Sequence, residues 1–241
     1  MNILDFIFPR RCLGCGRIGK YFCDKCRSSI KVIETNESIC PVCEKPAIDG
    51  ATHPRCQTRY ALDGLTSFFR YDGAIRRAVK SLKYRYVSDL TNEFVDLIPN
   101  SSLHVFSKPL TTNLLSSYLM PIPLHPSRYR FRGFNQAEVL GKILAKRLSI
   151  VLCSTILFRT RATTPQVEMK DRKKRLQNME GVFAFNNVAL RQSSPREDSG
   201  QAGQAILLFD DVFTTGATMR AAANVLKRAG VPFVWAVTMA R

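Results

Sequence analysis

The sequence predicts an α/β protein in which a parallel sheet flanked by helices follows a small module stapled by metal. Three observations predict it. Seven of the eight cysteines fall before residue 57, most of them in close pairs. Beyond residue 64, apolar runs such as AILLFDD and PFVWAVTM alternate with segments of helical period. Strands that are apolar along most of their length are buried on both faces, as in parallel sheets covered by helices.

At 241 residues the chain accommodates a module and a full domain, since domains commonly run to ~100–200 residues. The expected division is 1–60 and 61–241. With 45% hydrophobic and 23% charged residues, the body can bury a real core. The formal charge of +17, from 36 lysines and arginines against 19 acids, favours phosphate-rich partners such as nucleotides, nucleic acid or anionic lipid. No apolar run reaches the roughly 18 residues that span a bilayer. The opening MNILDFIFPRR places its basic residues after the apolar ones, the reverse of a secretory signal. A cytoplasmic protein is expected, and in that reducing compartment paired cysteines read as metal ligands.

Residues 1–60 show no sustained period of 2 or 3.6 and few aliphatic side chains, so they need a staple. Four ligand pairs, each with two intervening residues, supply it: Cys12 with Cys15, Cys23 with Cys26, Cys40 with Cys43, and His53 with Cys56. Eight donors suit two tetrahedral ions, and glycines such as Gly14 and Gly16 ease the tight turns. Taken in order, the pairs give a four-cysteine site and a three-cysteine, one-histidine site, resembling a double zinc ribbon. The spacing is also met by an interleaved arrangement, first pair with third. Arg10, Arg11, Arg17, Lys20, Lys25 and Arg27 read as a solvated basic face.

In the body, LTSFFRY reads as a strand. A helix capped by Asp72 places Ile75, Ala78, Val79 and Leu82 on one face, and a second runs from Ser88 to Pro99. Residues 100–117, rich in serine and threonine, read as a loop. Tyr118 to Pro123 is extended, because residues before proline are pushed out of the helical region. A helix over 134–148 follows, its stripe formed by Ala137, Leu140, Ile143, Leu144 and Leu148, with Asn135 and Gln136 as caps. The remaining expectations are a strand over 151–158 containing a buried Cys153, a charged helix or loop over 170–178, a short strand over 181–185 and a polar loop over 186–204. The chain then closes with the strand AILLFDD, a helix over 217–229 and a strand over 232–239.

Ligands of parallel sheets bind beyond the carboxyl ends of the strands, so the loops after 123, 158 and 210 are where chemistry is expected. After Asp210 and Asp211 come Thr214, Thr215, Gly216, Ala217 and Thr218, leading into a helix. Helix-start amides with the positive dipole end bind phosphate, threonine hydroxyls complete the oxygen cage, and Gly216 lets backbone approach closely. Two adjacent acids suit sugar hydroxyls or a divalent cation. Upstream, Arg128, Arg130 and Arg132 are predicted in a loop at a strand end, where guanidinium matches a diphosphate. Arg132 with Gly133 is the expected contact.

Residues 206–218 resemble, along their whole length, the phosphoribosyl pyrophosphate motif of type I phosphoribosyltransferases. PIPLHPSRYRFRGFNQ resembles the pyrophosphate loop and following helix of the same fold. RTRATTPQVEMKDRKKRLQN takes the place of the flexible catalytic loop, with Gln166, Arg172, Arg175 and Asn178 as its candidates. Together with the cysteine pairs, in this order, the segments look like the ComF family of competence-associated proteins. The likeness covers nearly the whole chain and is weakest at 100–117 and 186–204. Its departures are His53 in place of a cysteine, and Gly141 within the 134–148 helix.

The resemblance implies a type I phosphoribosyltransferase fold that binds phosphoribosyl pyrophosphate, or a related sugar-phosphate, with Mg. The 5′-phosphate would lie on 214–218, the ribose on Asp210 and Asp211, and the diphosphate near Arg132, these last three carrying any catalysis. It leaves the acceptor of a glycosyl transfer unnamed. It also implies a role in DNA uptake or use during natural transformation, with single-stranded DNA and competence proteins as partners. Tyr129, Phe131 and Phe134, interleaved with arginines, suit base stacking.

Overall fold

The computed structural model describes residues 9–84, 88–103, 117–161, 179, 181–186 and 205–241. The expected flexible-loop residues Gln166, Arg172, Arg175 and Asn178, the charged segment 170–178 and most of the polar loop 186–204 lie outside them.

Five parallel strands form the central sheet: β1 (Gly64–Phe69), β2 (Ser117–Pro121), β3 (Val151–Leu152), β6 (Ala205–Val212) and β7 (Phe233–Ala240), in the order β1-β7-β6-β2-β3. A separate antiparallel pair joins β4 (Leu157–Arg159) to β5 (Phe183–Phe185). β6 lies in the middle, with Leu207 opposite Leu119 on one side and Trp235 on the other. Its side chains alternate with period 2. Leu207 and Phe209 enter one core, Ile206 and Leu208 the other, so a run that reads as continuously apolar serves two faces.

The first core is closed by α2 (Gly73–Tyr84), α3 (Ser88–Asp96) and α6 (Gln136–Leu148). α2 buries the expected stripe of Ile75, Ala78, Val79 and Leu82. α6 is regular through Gly141, where an added Cβ would stand 3.2 Å from Leu119 and 3.4 Å from both Leu152 and Phe209. The glycine that breaks the helical pattern therefore lets the helix lie close on the sheet. α7 (Ala217–Arg228) covers the second core with Met219, Ala222, Ala223 and Leu226.

Three local expectations change. Residues 151–158 do not form one strand. The Cys153 N–H still bonds to the Leu119 carbonyl at 2.8 Å, after which the chain bends at Thr155 and Ile156, so that Leu157 pairs with Phe185. At the start of 100–117, Asn100–Leu103 makes one helical turn, α4. The arginine segment is a helix, α5 (Pro126–Arg132), and not a loop. His125 caps it by accepting from the Ser127 N–H at 3.2 Å, Pro126 presets the first turn, and Gly133 ends it in the left-handed region at φ 76°. These are ordinary start and stop signals.

The first sixty residues, which include a short helix α1 (Asp24–Ser28), also do more than fold around metal. Phe22 and Ile33 are buried, and Phe22 stacks on Phe94 of α3 with ring centroids 6.0 Å apart. Glu93 accepts from the Tyr21 and Phe22 N–H groups at 3.0 and 3.2 Å. Arg77 donates to the carbonyls of Leu13 and Gly14. Single bridges join Val32 to Phe69 and Ala51 to Gly64, so the module is sewn to both ends of β1. No helix of the described residues is long and apolar enough to cross a membrane.

Candidate metal centres and phosphate site

The pairs assemble in sequence order. Cys12, Cys15, Cys23 and Cys26 form one cluster; Cys40, Cys43, His53 and Cys56 form the other. In each, the ligand atoms lie within 4.8 Å of one another. A tetrahedral zinc with Zn–S bonds of about 2.3 Å sets its sulfurs about 3.8 Å apart. Cys15 and Cys23 sulfurs are 3.6 Å apart, and Cys43 Sγ is 3.3 Å from His53 Nδ1. The interleaved arrangement is thereby set aside.

Donor chemistry agrees with the spacing. His53 Nε2 lies 2.9 Å from the Pro46 carbonyl oxygen, which can only accept, so Nε2 carries the proton and Nδ1 presents its lone pair to the cluster. At the first cluster, the Gly14 and Cys23 N–H groups each point at Cys12 Sγ at 3.4 Å. Burial opposes the Cys12 thiolate, yet N–H donation from Cys23, Cys15 and Gly14 outweighs it and holds the thiol at about 6. Both sets fit structural zinc, the first with four sulfurs and the second with three sulfurs and a nitrogen.

The phosphate candidates gather where β6 ends. Asp210 is half-buried and Asp211 is 5% exposed. The Asp211 N–H donates to Asp210 Oδ1 at 2.8 Å. Burial, and then repulsion by Asp211, pushes the Asp210 carboxyl up to about 8. Thr214 is exposed, and Thr215 is half-buried with its Oγ1 buried and without a hydrogen-bond partner among the described residues.

Gly216 is the N-cap of α7, left-handed at φ 68°, and no side chain caps the helix there. A Cβ at Gly216 would stand 2.5 Å from Phe213 Cζ and 3.4 Å from the Pro41 carbonyl oxygen. Pro41 lies within the second cysteine cluster. Ala217 and Thr218 form the first turn of α7. Val42 and Cys56 of that cluster also share a cavity of about 670 Å³ with Ala217 and Arg220.

The comparisons with known proteins bear on both halves. Residues 3–57 match the double zinc ribbon domain. The competence protein ComFC of Bacillus subtilis is 27% identical over 216 residues, which are 86% of this chain and 78% of that protein. The DNA utilization protein YhgH of Escherichia coli K12 is 28% identical over 217 residues, 87% of this chain and 86% of that one. Competence protein F of Haemophilus influenzae is 30% identical over 129 residues, about half of each chain (53% and 51%). The chain is a homologue of the ComF-type proteins.

In this ComF homologue the arginines fall differently from expectation. β2 and β6 are neighbours in register, Pro121 opposite Phe209, so α5 rises from the same sheet edge as the acid pair. Arg132, its last residue, donates to Gln136 Oε1 at 2.9 Å, and Gly133 is the helix C-cap. Asn135 caps α6, accepting from the Ala137 N–H at 3.1 Å.

Two residues of the ComF homologue were passed over in the sequence. Arg159, at the end of β4, is 8% exposed. Burial and the neighbouring Arg128 hold its guanidinium down at about 10, against the pull of Asp210. Arg128, Arg159 and Asp210 thus share one electrostatic field. Lys83, in the last turn of α2, pairs with Asp211 at 3.0 Å. Neither stands in a local motif, and both reach the site only through tertiary packing.

Proposed function

We propose that this chain binds phosphoribosyl pyrophosphate, or a closely related sugar-phosphate, with Mg, at the end of β6. The observation that carries the reading is the turn at 214–218. It has a buried Thr215 hydroxyl without a partner among the described residues, and a helix start that no side chain caps. Buried polar groups normally find partners, and an uncapped helix start favours an anion. In this reading the 5′-phosphate occupies 214–218, the diol meets Asp210 and Asp211, and the diphosphate lies toward Arg128, Arg132 and Arg159.

Transfer would proceed by attack of an acceptor on the anomeric carbon as diphosphate leaves with the bonding pair. The protein's part would be positioning and stabilisation of the departing charge. The reading also divides the chain into a zinc module, 1–60, and a body, 61–241. It places the chain in the cytoplasm, where eight thiols stay reduced.

Calorimetry tests it. Phosphoribosyl pyrophosphate with Mg is expected to bind at micromolar to millimolar concentration, and Asp211→Ala to weaken binding by at least about tenfold, the loss of a buried charged hydrogen-bonding group. Absence of heat at millimolar ligand would sink the reading.

A role in DNA uptake or use follows from the names of the relatives, and a specific observation favours direct contact with single strands. On α5, Phe131 is 86% exposed and Tyr129 47%, beside Arg128, Arg130 and Arg132. Exposed rings interleaved with guanidinium groups suit bases and phosphates in succession. Affinity for a single strand is expected to fall steeply with salt, and the salt slope to decrease by ~0.7 for each of Arg130 and Arg132 reversed to Glu. Phe131→Ala should cost ~1–3 kcal/mol. A flat salt response would exclude this contact, leaving competence proteins as the partners through which the chain acts.

A further inference from the structure

Lys83 is brought to the acid pair by the packing of α2 against the sheet. Its ammonium is 3.0 Å from Asp211 Oδ2, and the two side chains are 27% and 8% exposed. Both ends of this pair are therefore largely out of water, where losing one partner strands the other charge. Burial disfavours the Lys83 ammonium, but attraction to Asp211, with Asp210 behind it, prevails and holds Lys83 protonated above its ordinary value. Tyr71, on the approach to α2, also lies near the Lys83 ammonium, and Arg159 from β4 faces Asp210.

One oxygen of each acid is committed by the fold. Asp211 Oδ2 faces Lys83, and Asp210 Oδ1 accepts the Asp211 N–H. Asp211 Oδ2 is buried and has the Lys83 ion pair but no hydrogen-bond donor among the described residues. The ammonium therefore restrains that carboxylate by charge, while the Asp211 N–H restrains that of Asp210, and a ligand meets the remaining oxygens in a restricted orientation. A fixed buried acceptor discriminates strongly for a hydroxyl, because the analogue without it leaves the acceptor unmet. A carboxylate free to turn toward water loses that discrimination.

We propose that Lys83 sets this site's selectivity for ribose over 2-deoxyribose by fixing the Asp211 carboxylate from beneath. The proposal rests on the sugar-phosphate reading above. Lys83 is a positioning residue, acting through Asp211 and not touching the sugar.

The test titrates ribose 5-phosphate and 2-deoxyribose 5-phosphate into the full chain, as wild type, Lys83→Met and Lys83→Arg. Wild type should favour the ribose sugar by about tenfold or more. Lys83→Met should bring that ratio below about threefold, mainly by losing ribose affinity, and Lys83→Arg should keep most of it. If Lys83→Met folds poorly, Lys83→Gln removes the same charge with a polar end.

Equal weakening of both sugars, with the ratio intact, would mean that Lys83 only supports the loop, and overturns the proposal. Wild type that binds both sugars alike leaves the sugar-phosphate reading standing and overturns this proposal alone. Wild type that binds neither overturns the sugar-phosphate reading itself, and this proposal with it.

Discussion

Stripping metal from the full chain with a strong chelator is expected to lower its melting temperature by well over 10 °C, and the body should melt with the module. The size of the effect follows from how the clusters are built in. Isolated zinc modules owe an apparent ~10–16 kcal/mol of folding free energy to the ion. Here the metal-folded segment also supplies Phe22 to the main core, packs Ile30 and Val32 against it, and gives backbone donors to Glu93. A loss of only about 5 kcal/mol is enough, at ~2–4 °C per kcal/mol for a chain of this size. Elemental analysis should find two zinc ions per chain, and His53→Ala one. A melting curve indifferent to chelator would show that the cysteines hold nothing structural.

Gly216→Ala is expected to damage both stability and ligand binding. The residue stands at φ 68°, where a side chain costs ~1–2 kcal/mol. The new methyl would meet the Phe213 ring at 2.5 Å and the Pro41 carbonyl at 3.4 Å, adding about 1–3 kcal/mol of overpacking. The sum, about 2–5 kcal/mol, lowers the melting temperature by roughly 4–20 °C. Phosphoribosyl pyrophosphate binding should fall further than the stability loss explains, because the methyl displaces the very backbone that would receive the phosphate. Equal binding by the folded variant would count against the turn as a phosphate cradle.

Much of this architecture is legible residue by residue. β6 and α7 are long, their periods unmistakable, and the acids and small residues between them fall where a strand ends and a helix begins. The cysteine spacing limits the metal sets to two arrangements, and the fold selects the sequential one. Short elements are harder. In the seven residues of α5, alternating Arg and aromatic side chains suit an extended segment as well as a helix, and the His125 and Pro126 signals are outweighed by the pattern. The bend at Thr155 depends on Leu157 finding Phe185, a partner on a distant stretch of chain. Lys83 and Arg159 are illegible for the same reason: a charge beside an apolar run looks like a solvated flank until packing turns it inward.

Pro41 sits one residue after Cys40 and two before Cys43, and its carbonyl lies against the turn that opens α7. One wall of the ligand turn is therefore a loop whose two flanking sulfurs an ion would tie together. Zinc occupancy and the shape of that turn would then be linked through a single peptide group.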